Sequence, residues 1–257
     1  MRREEKLTAF KTILRKEIVR FIRIWPQTII PSMMMMVLYF VIFGKFIGSQ
    51  ISDMDGFSYI QFIVPGLVMM AVITNSYSNV VSSFFSTKFH KSVEELMVSP
   101  TPEYIIVLGY IFGGVARGLI VGAGVTMTSL LFVPLNIFNT GFVLLYISLT
   151  SILFSLAGFM NSIFAKKFDD ISIVPTFILT PLTYLGGVFY SIELLPPFWQ
   201  GLSRLNPILY MVNGFRYGFL GISDVNVLSG LLISILFILV LFFTNIHLMK
   251  KGVGLKE

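Results

Sequence analysis

Long apolar runs limit what this chain can fold into. Six stretches of about twenty residues or more are almost free of charge, at residues 24–43, 59–83, 104–133, 141–164, 171–189 and 227–249. A helix of about 20 apolar residues crosses the hydrocarbon core of a bilayer. Only 12% of the 257 residues are charged, against roughly 25% in average globular chains. The sequence therefore predicts an all-α membrane protein with six transmembrane helices rather than a soluble domain.

The basic residues predict an orientation. A cytoplasmic N-terminus places fifteen of the nineteen Lys and Arg residues inside, among them Lys256. Lys45, Arg204 and Arg216 then lie outside, and Arg117 is the single intramembrane charge. Because Lys and Arg are enriched in cytoplasmic loops, we expect a multi-pass protein of the inner membrane with both termini in the cytoplasm. The net charge of +6 then belongs to the membrane surface and not to a nucleic-acid partner.

Residues 1–23 have the periodicity of an amphipathic helix. Its apolar side chains share about one third of the helical circle, and they are Leu7, Phe10, Leu14, Ile18, Phe21, Ile22 and, just beyond the segment, Trp25. Lys16, Arg20 and Arg23 occupy the opposite side. A basic polar face with an aromatic edge is typical of a helix lying in the membrane interface. Packing on a soluble partner is the alternative.

The chain lacks the residues of a catalytic centre or an energy source. It has no cysteine, two histidines and no phosphate-binding GxxxxGK[ST] loop. All thirteen acidic residues lie outside the predicted spans, whereas ion-driven carriers place acids or His within the bundle. We therefore expect no catalytic, cofactor or metal site on this chain. It is either a passive pore or a protein driven by a separate motor subunit.

Two predicted spans carry polar residues at helical spacing. The second has Asn75, Asn79, Ser82 and Ser86, and the fifth has Thr176, Thr180 and Tyr184 between and beyond two prolines. Polar groups in lipid must face protein or water. They either hold helices together or line a substrate path, for which the candidates are Asn75, Asn79, Thr176, Thr180 and Tyr184.

The third predicted span combines glycines with a charge. Its small residues recur at spacings of four, at Gly109, Gly113, Gly114, Gly118 and Gly122, and this pattern favours close helix packing. Arg117 lies within the same span. It either bonds a carbonyl or a lipid phosphate, or it contacts an anionic substrate.

The loop at residues 84–103 predicts a docking element. Phe85, Phe89, Val93 and Leu96 form an apolar stripe at helical spacing, with charged residues around it and prolines after it. Such a helix suits a groove on a partner protein, and resting on the membrane surface is the alternative. The candidate contact residues are Phe85, Lys88, Phe89, Lys91, Glu94, Glu95, Leu96 and Pro100.

Five motifs, in this order and spacing, resemble the permeases of type-2 ATP-binding cassette exporters, and within them the YadH-like branch. They are FSYIQFIVPGL at residues 57–67, EELMVSPTP at 94–102, FDDISIVPTFILTPLTYLGGVFY at 168–190, LPPFWQ at 195–200 and LNPILYMVNGFRYGFLG at 205–221. The resemblance covers essentially the whole chain. It implies a single transmembrane domain over residues 1–257.

The resemblance also implies a role for each segment. Residues 1–23 would be a connecting helix, residues 84–103 the coupling helix that touches the ATPase, and residues 190–226 external re-entrant helices. The named residues of the last region are Pro196, Pro197, Asn206, Pro207, Tyr210, Gly214 and Arg216. Two permease copies, surrounded by membrane lipids, would work with a YadG-like ATPase dimer that binds ATP and Mg²⁺.

The leading hypothesis is therefore an export permease that moves an amphiphilic, drug, lipid or saccharide-type substrate by alternating access. A motor-independent channel or scaffold is the second hypothesis. A membrane enzyme is the third, and it lacks a nucleophile, carboxylate pair or metal site in the sequence.

Overall fold

The described part of the chain is helical, as the sequence predicts. A computed structural model describes residues 2–51 and 53–254, without the side chains of Lys45 and Ser49. Within these ranges there is no strand, and one isolated bridge pairs Met54 with Phe57. Lys256, assigned to the cytoplasm from the sequence, lies outside the described residues, as does the side chain of Lys45.

Twelve α-helices are present in the described ranges: α1 Arg3–Arg23, α2 Trp25–Thr28, α3 Ile30–Tyr39, α4 Tyr59–Phe89, α5 Ser92–Val98, α6 Glu103–Ser129, α7 Thr140–Phe164, α8 Asp170–Val174, α9 Thr180–Tyr184, α10 Pro197–Arg204, α11 Pro207–Leu220 and α12 Val227–Lys251. Wider π-helical turns extend α3 over Phe40–Ile47 and join α8 to α9 over Pro175–Leu179. Short 3₁₀ turns lie at Gly48–Gln50 and Ile192–Leu194.

Among the described residues, five helices are long and apolar enough to cross a membrane: Trp25–Gly44, α4, α6, α7 and α12. They correspond to five of the six predicted spans. The fifth predicted span is helical only from Asp170 to Tyr184, a length of about 22 Å at 1.5 Å per residue. Pro175 and Pro181 lack the backbone N–H that a regular α-helix needs, and the π-helical turn begins at the first of them.

α4 is the centre of the bundle. Most of its residues are buried, and it packs against α6, α7 and α11. By contrast, Trp25–Gly44 and α12 are mostly exposed. Because exposed apolar helices are stable in lipid, these two helices form the outer surface of the bundle within the described chain.

The glycines of α6 allow close packing on two sides, which confirms the packing interpretation. A Cβ added at Gly113 would lie 2.5 Å from the Cβ of Glu17 on α1. A Cβ added at Gly118 would collide with the Oγ of Ser76 on α4 and approach the Oγ of Ser151 on α7 to 2.9 Å. One helix therefore brings α1, α4 and α7 together at distances that only glycine permits.

α1 turns part of its charged side toward the bundle, which corrects the expectation of an outward basic face. Glu17 is completely buried, and Lys16 and Arg20 bond to groups on α6 and α4. Leu7 and Ile22, from the predicted apolar face, are about half exposed. The reason is geometric, since the glycines of α6 let α1 approach closely. Polar groups on α4 and α6 then form hydrogen bonds with the charged side chains of α1.

The region at residues 190–226 consists of short helices, as predicted. Pro196 is the N-cap of α10 and Pro197 its first residue. Asn206 caps α11 by accepting from the backbone N–H of Ile208 at 3.0 Å, and Pro207 follows as the first helical residue. Proline suits this position because the first N–H groups of a helix have no intrahelical partner.

α11 is packed into the bundle by the remaining residues of the predicted re-entrant set. The hydroxyl of Tyr210 donates to the carbonyl of Arg204 at 2.8 Å. Gly214 lies directly against the ring of Tyr146 on α7. Arg216 is fully buried, donates to the carbonyl of Gly187 and lies 3.9 Å from the centroid of the Phe62 ring.

Candidate functional site

α4 presents polar residues on two faces that lie in different surroundings. We call Asn75, Asn79 and Ser83 the sealed face, because all three side chains are buried against neighbouring helices. Thr74 and Ser78, one position earlier in each turn, form the open face. Adjacent positions differ by about 100° around a helix, so the two faces have different neighbours.

A buried carboxylate is at the centre of the sealed face. Glu17 on α1 is 0% exposed, and its Oε1 accepts from the Oγ of Ser83 at 2.7 Å. Its Oε2 lies 3.3 Å from the Nη2 of Arg20, and the Nζ of Lys16 is 3.9 Å from Oε1. A buried charge is stable only when paired and hydrogen-bonded, and these partners satisfy that condition.

Two arginines extend the same network along α4. The Nη2 of Arg20 donates to both the backbone carbonyl and the Oδ1 of Asn79, at 2.9 Å each. The Nη2 of Arg117 on α6 donates to the Oδ1 of Asn75 at 3.0 Å. Asn75 in turn donates to the Oγ of Ser32 on α3 at 3.0 Å. The sealed face thus joins α1, α3, α4 and α6.

Arg117 therefore bonds a carbonyl, as one of the alternatives from the sequence has it, and this carbonyl belongs to the side-chain amide of Asn75. The side chain of Arg117 is 8% exposed, and its Nε has no hydrogen-bond partner among the described residues. The sequence reasoning also missed the role of Glu17, because an acid outside the predicted spans gives no direct sign of burial.

The open face borders a small cleft between α4 and the α8–α9 segment. The cleft has a volume of about 50 Å³ and is lined by Met70, Thr74, Tyr77, Ser78, Pro175, Leu179, Thr180 and Thr183. The hydroxyls of Thr74 and Thr180 donate to the carbonyls of Met70 and Pro175, each at 2.9 Å. Their lone pairs remain available as acceptors toward the cleft.

The structure places the predicted path residues in separate surroundings. Thr180 lines the open cleft, and Thr176 is exposed one turn away. Tyr184 lies apart from them, with its hydroxyl 3.3 Å from that of Tyr39 and its ring stacked on Phe189. Asn75 and Asn79 belong to the sealed face and do not meet this group. Sequence reasoning missed Thr74 and Ser78, although they repeat at the same spacing of four residues.

The loop at residues 84–103 contains the end of α4 and the separate helix α5, rather than the single helix predicted from the stripe. α4 continues to Phe89, Lys91 adopts a left-handed conformation with φ of 60°, and α5 begins at Ser92. The stripe is therefore divided, with Phe85 and Phe89 on α4 and the rest on α5. The left-handed residue separates the two helices because this conformation cannot continue a right-handed helix.

The predicted contact residues of this loop differ in exposure. Phe85 is buried, Leu96 is half-buried, and Phe89, Lys91, Glu94, Glu95 and Pro100 are exposed. Lys88 turns toward α7, where its Nζ donates to the carbonyls of Ile163 at 2.7 Å and Ala165 at 2.6 Å. A cation at a helix C-terminus satisfies carbonyls that have no intrahelical partner.

Comparison with known proteins agrees with this architecture. Residues 8–220 match the family model described as ABC-2 type transporter. The chain is 60% identical over 249 residues to the inner membrane transport permease YadH of Escherichia coli K12, covering 97% of each chain.

More distant relatives also align with this chain over most of their length. Nodulation protein J of Neorhizobium galegae is 21% identical over 242 residues, covering 93% of this chain and 92% of the relative. Nodulation protein J of Rhizobium meliloti is 23% identical over 217 residues, covering 83% and 82%. The extent of the family match and the 60% identity together show that this chain belongs to the ABC-2 type transporter family, as a multi-pass transport permease of the inner membrane.

Proposed function

We propose that this permease exports an amphiphilic substrate, of a drug, lipid or saccharide type, from the cytoplasm by alternating access. The observation that carries the proposal is the lining of the open cleft. Hydroxyls from Thr74, Ser78 and Thr180 lie beside the apolar side chains of Met70 and Leu179. A molecule with both polar and apolar parts matches such a wall.

Opening of the cleft is part of the proposed mechanism. Its volume of about 50 Å³ is far below the roughly 300–1,000 Å³ of pockets that hold small-molecule ligands. The sealed face ties α1, α4 and α6 into one unit. The α8–α9 segment is divided by prolines and a π-helical turn, so we place the opening movement between this segment and the unit that contains α4.

The energy in this proposal comes from another chain. ATP and Mg²⁺ would bind to a cytoplasmic ATPase dimer, which would dock on α5 of two permease copies. Glu94 and Glu95 on α5 and Phe89 at the end of α4 are exposed and available for contact. We assign these three residues the transmission of ATPase closure to α4, because α4 ends at Phe89.

The test is reconstitution of the permease with its ATPase in lipid vesicles. We expect ATP-dependent movement of fluorescent amphiphiles, tested as a panel of a lipid analogue, a lipophilic dye and a lipid-linked saccharide. Glu95→Arg should reduce movement at least tenfold while Glu193→Arg, at an exposed acid in the region at residues 190–226, leaves it unchanged. Movement that persists with a catalytically dead ATPase would contradict the proposal and favour a motor-independent channel.

A further inference from the structure

Three phenylalanine rings meet at the cytoplasmic end of the bundle. Phe168, from the segment between α7 and α8, lies 4.9 Å from Phe85 and 4.8 Å from Phe89, measured between ring centroids. We call these three rings the aromatic cluster. Phe89 is 56% exposed and Phe168 is 48% exposed. Exposed rings on the loops between membrane helices are costly in water, and such apolar patches mark contact surfaces.

A cavity adjoins the aromatic cluster. It has a volume of about 210 Å³, and its lining combines the apolar residues Phe85, Phe89 and Val93 with the charged residues Lys88, Lys91, Glu94 and Lys166. An apolar cavity of about 150 Å³ accepts one benzene ring. The space beside the cluster therefore has room for one large apolar side chain of a partner.

The charges around the cavity favour a protein partner over a membrane surface. Lys91, Lys166 and Glu94 lie along its rim. Anionic headgroups would be attracted to the lysines and repelled by Glu94, with Glu95 exposed next to it. A protein can present an apolar side chain to the rings, a carboxylate to the lysines and a basic group to Glu94 and Glu95, a combination that a layer of anionic headgroups lacks.

Hydrogen bonds between a side chain and the local backbone hold the segment that carries Phe168 in place. The Oδ2 of Asp170 accepts from the N–H groups of Lys166 at 2.8 Å and Lys167 at 2.9 Å. These hydrogen bonds lower the pKa of the Asp170 carboxyl, with the nearby lysine charges adding to the effect. Asp170 is thus a positioning residue that orders the turn before α8.

We propose that the aromatic cluster is a pocket for an apolar side chain of the ATPase subunit, and that Phe168 makes the second cytoplasmic loop a contact in addition to α5. The inference rests on the proposed function, because it names a further surface for the same partner. Its basis is the exposure of Phe168, its contact with Phe89, and the cavity and lysines beside them.

Binding of the purified ATPase to the permease in phosphatidylcholine nanodiscs tests the proposal. Phe168→Ala should raise the Kd at least tenfold, and Phe168→Leu should raise it less because an apolar side chain remains. Phe198→Ala is the matched control, since Phe198 is 74% exposed on α10, away from the cluster. Its Kd should equal that of the unmodified permease.

The outcomes separate this inference from the proposed function. If the unmodified permease does not bind the ATPase, the proposed function itself fails. If it binds, and Glu95→Arg weakens binding while both Phe168 variants bind normally, only the role of Phe168 is overturned. Equal circular dichroism spectra and elution volumes of the variants exclude misfolding. An effect of Phe168→Ala that occurs only with phosphatidylglycerol in the nanodisc would identify a lipid contact and overturn the proposal.

Discussion

The sealed and open faces of α4 carry similar polar residues at the same spacing, yet they differ in every neighbour. Asn75 and Asn79 bond to arginines of α6 and α1. Thr74 and Ser78 border a cleft, and the Thr74 hydroxyl bonds to a carbonyl of its own helix. Polarity on a membrane helix therefore shows only that a face avoids lipid. The neighbouring helices decide whether that face holds the bundle together or remains open to a ligand.

The largest expected effect comes from removing the carboxylate of the sealed face. Glu17→Ala leaves Arg20 without its acid and Ser83 without its acceptor. Breaking a buried ion pair costs about 3–5 kcal/mol, and we expect about 3 kcal/mol here because Arg20 is partly exposed. Unfolding by denaturant in detergent micelles measures the loss.

Glu4→Ala is the control for this prediction, because Glu4 is exposed on the same helix. Its unfolding free energy should stay within about 0.5 kcal/mol of the unmodified protein. If Glu17→Ala is equally harmless, the sealed face does not hold α1 to α4, and the contrast between the two faces is lost.

A smaller loss of stability is expected where α4 and α6 make closest contact. Gly118→Ala places a methyl group against the Oγ of Ser76, and overpacking of this kind costs about 1–3 kcal/mol. Adding Ser76→Ala removes that oxygen and should restore part of the stability. Thermal unfolding of the single and double variants gives the coupling between the two positions.

Gly124→Ala provides the comparison on the same helix, since its nearest neighbours are Met33 atoms at 3.5 Å. That substitution should be neutral or slightly stabilising, because alanine favours helix over glycine by about 1 kcal/mol. Equal losses at Gly118 and Gly124 would show that the helices are not in the described contact.

The smallest effect on stability is expected at the open face. Thr74→Val and Thr180→Val remove hydroxyls that border the cleft and bond only to carbonyls of their own helical segment. The unfolding free energy should change by less than about 0.5 kcal/mol, whereas ATP-dependent movement of the amphiphile should fall severalfold. A loss of stability without a change in transport would assign these residues to packing.

Much of this fold follows from the sequence because it depends on local patterns. Uninterrupted apolar runs indicate five of the long helices, and prolines indicate where the α8–α9 segment departs from a regular helix. The glycines of α6 predict close packing, which the structure confirms at Gly113 and Gly118.

The sealed face was less accessible to sequence reasoning, because its partners come from distant parts of the chain. Glu17 and Arg20 look like a solvated helix surface until α6 is placed beside them. The sequence does contain one indication that α1 packs on α6. Ile13 and Glu17 on α1 have the same spacing of four residues as the glycines that they contact, Gly109 and Gly113 on α6. The periodicity of the sequence does not indicate which of the two polar faces of α4 packs against α1.

Cysteine labelling compares the two faces of α4 most directly, since the chain contains no native cysteine. Thr74→Cys and Ser78→Cys are compared with Asn75→Cys and Asn79→Cys in membrane vesicles that contain the ATPase, with and without ATP. A water-soluble maleimide should label positions 74 and 78 in at least one of these states and should label positions 75 and 79 only after denaturation. Labelling of 75 and 79 in the folded protein, with 74 and 78 protected, would contradict the assignment of the open face to the transport path.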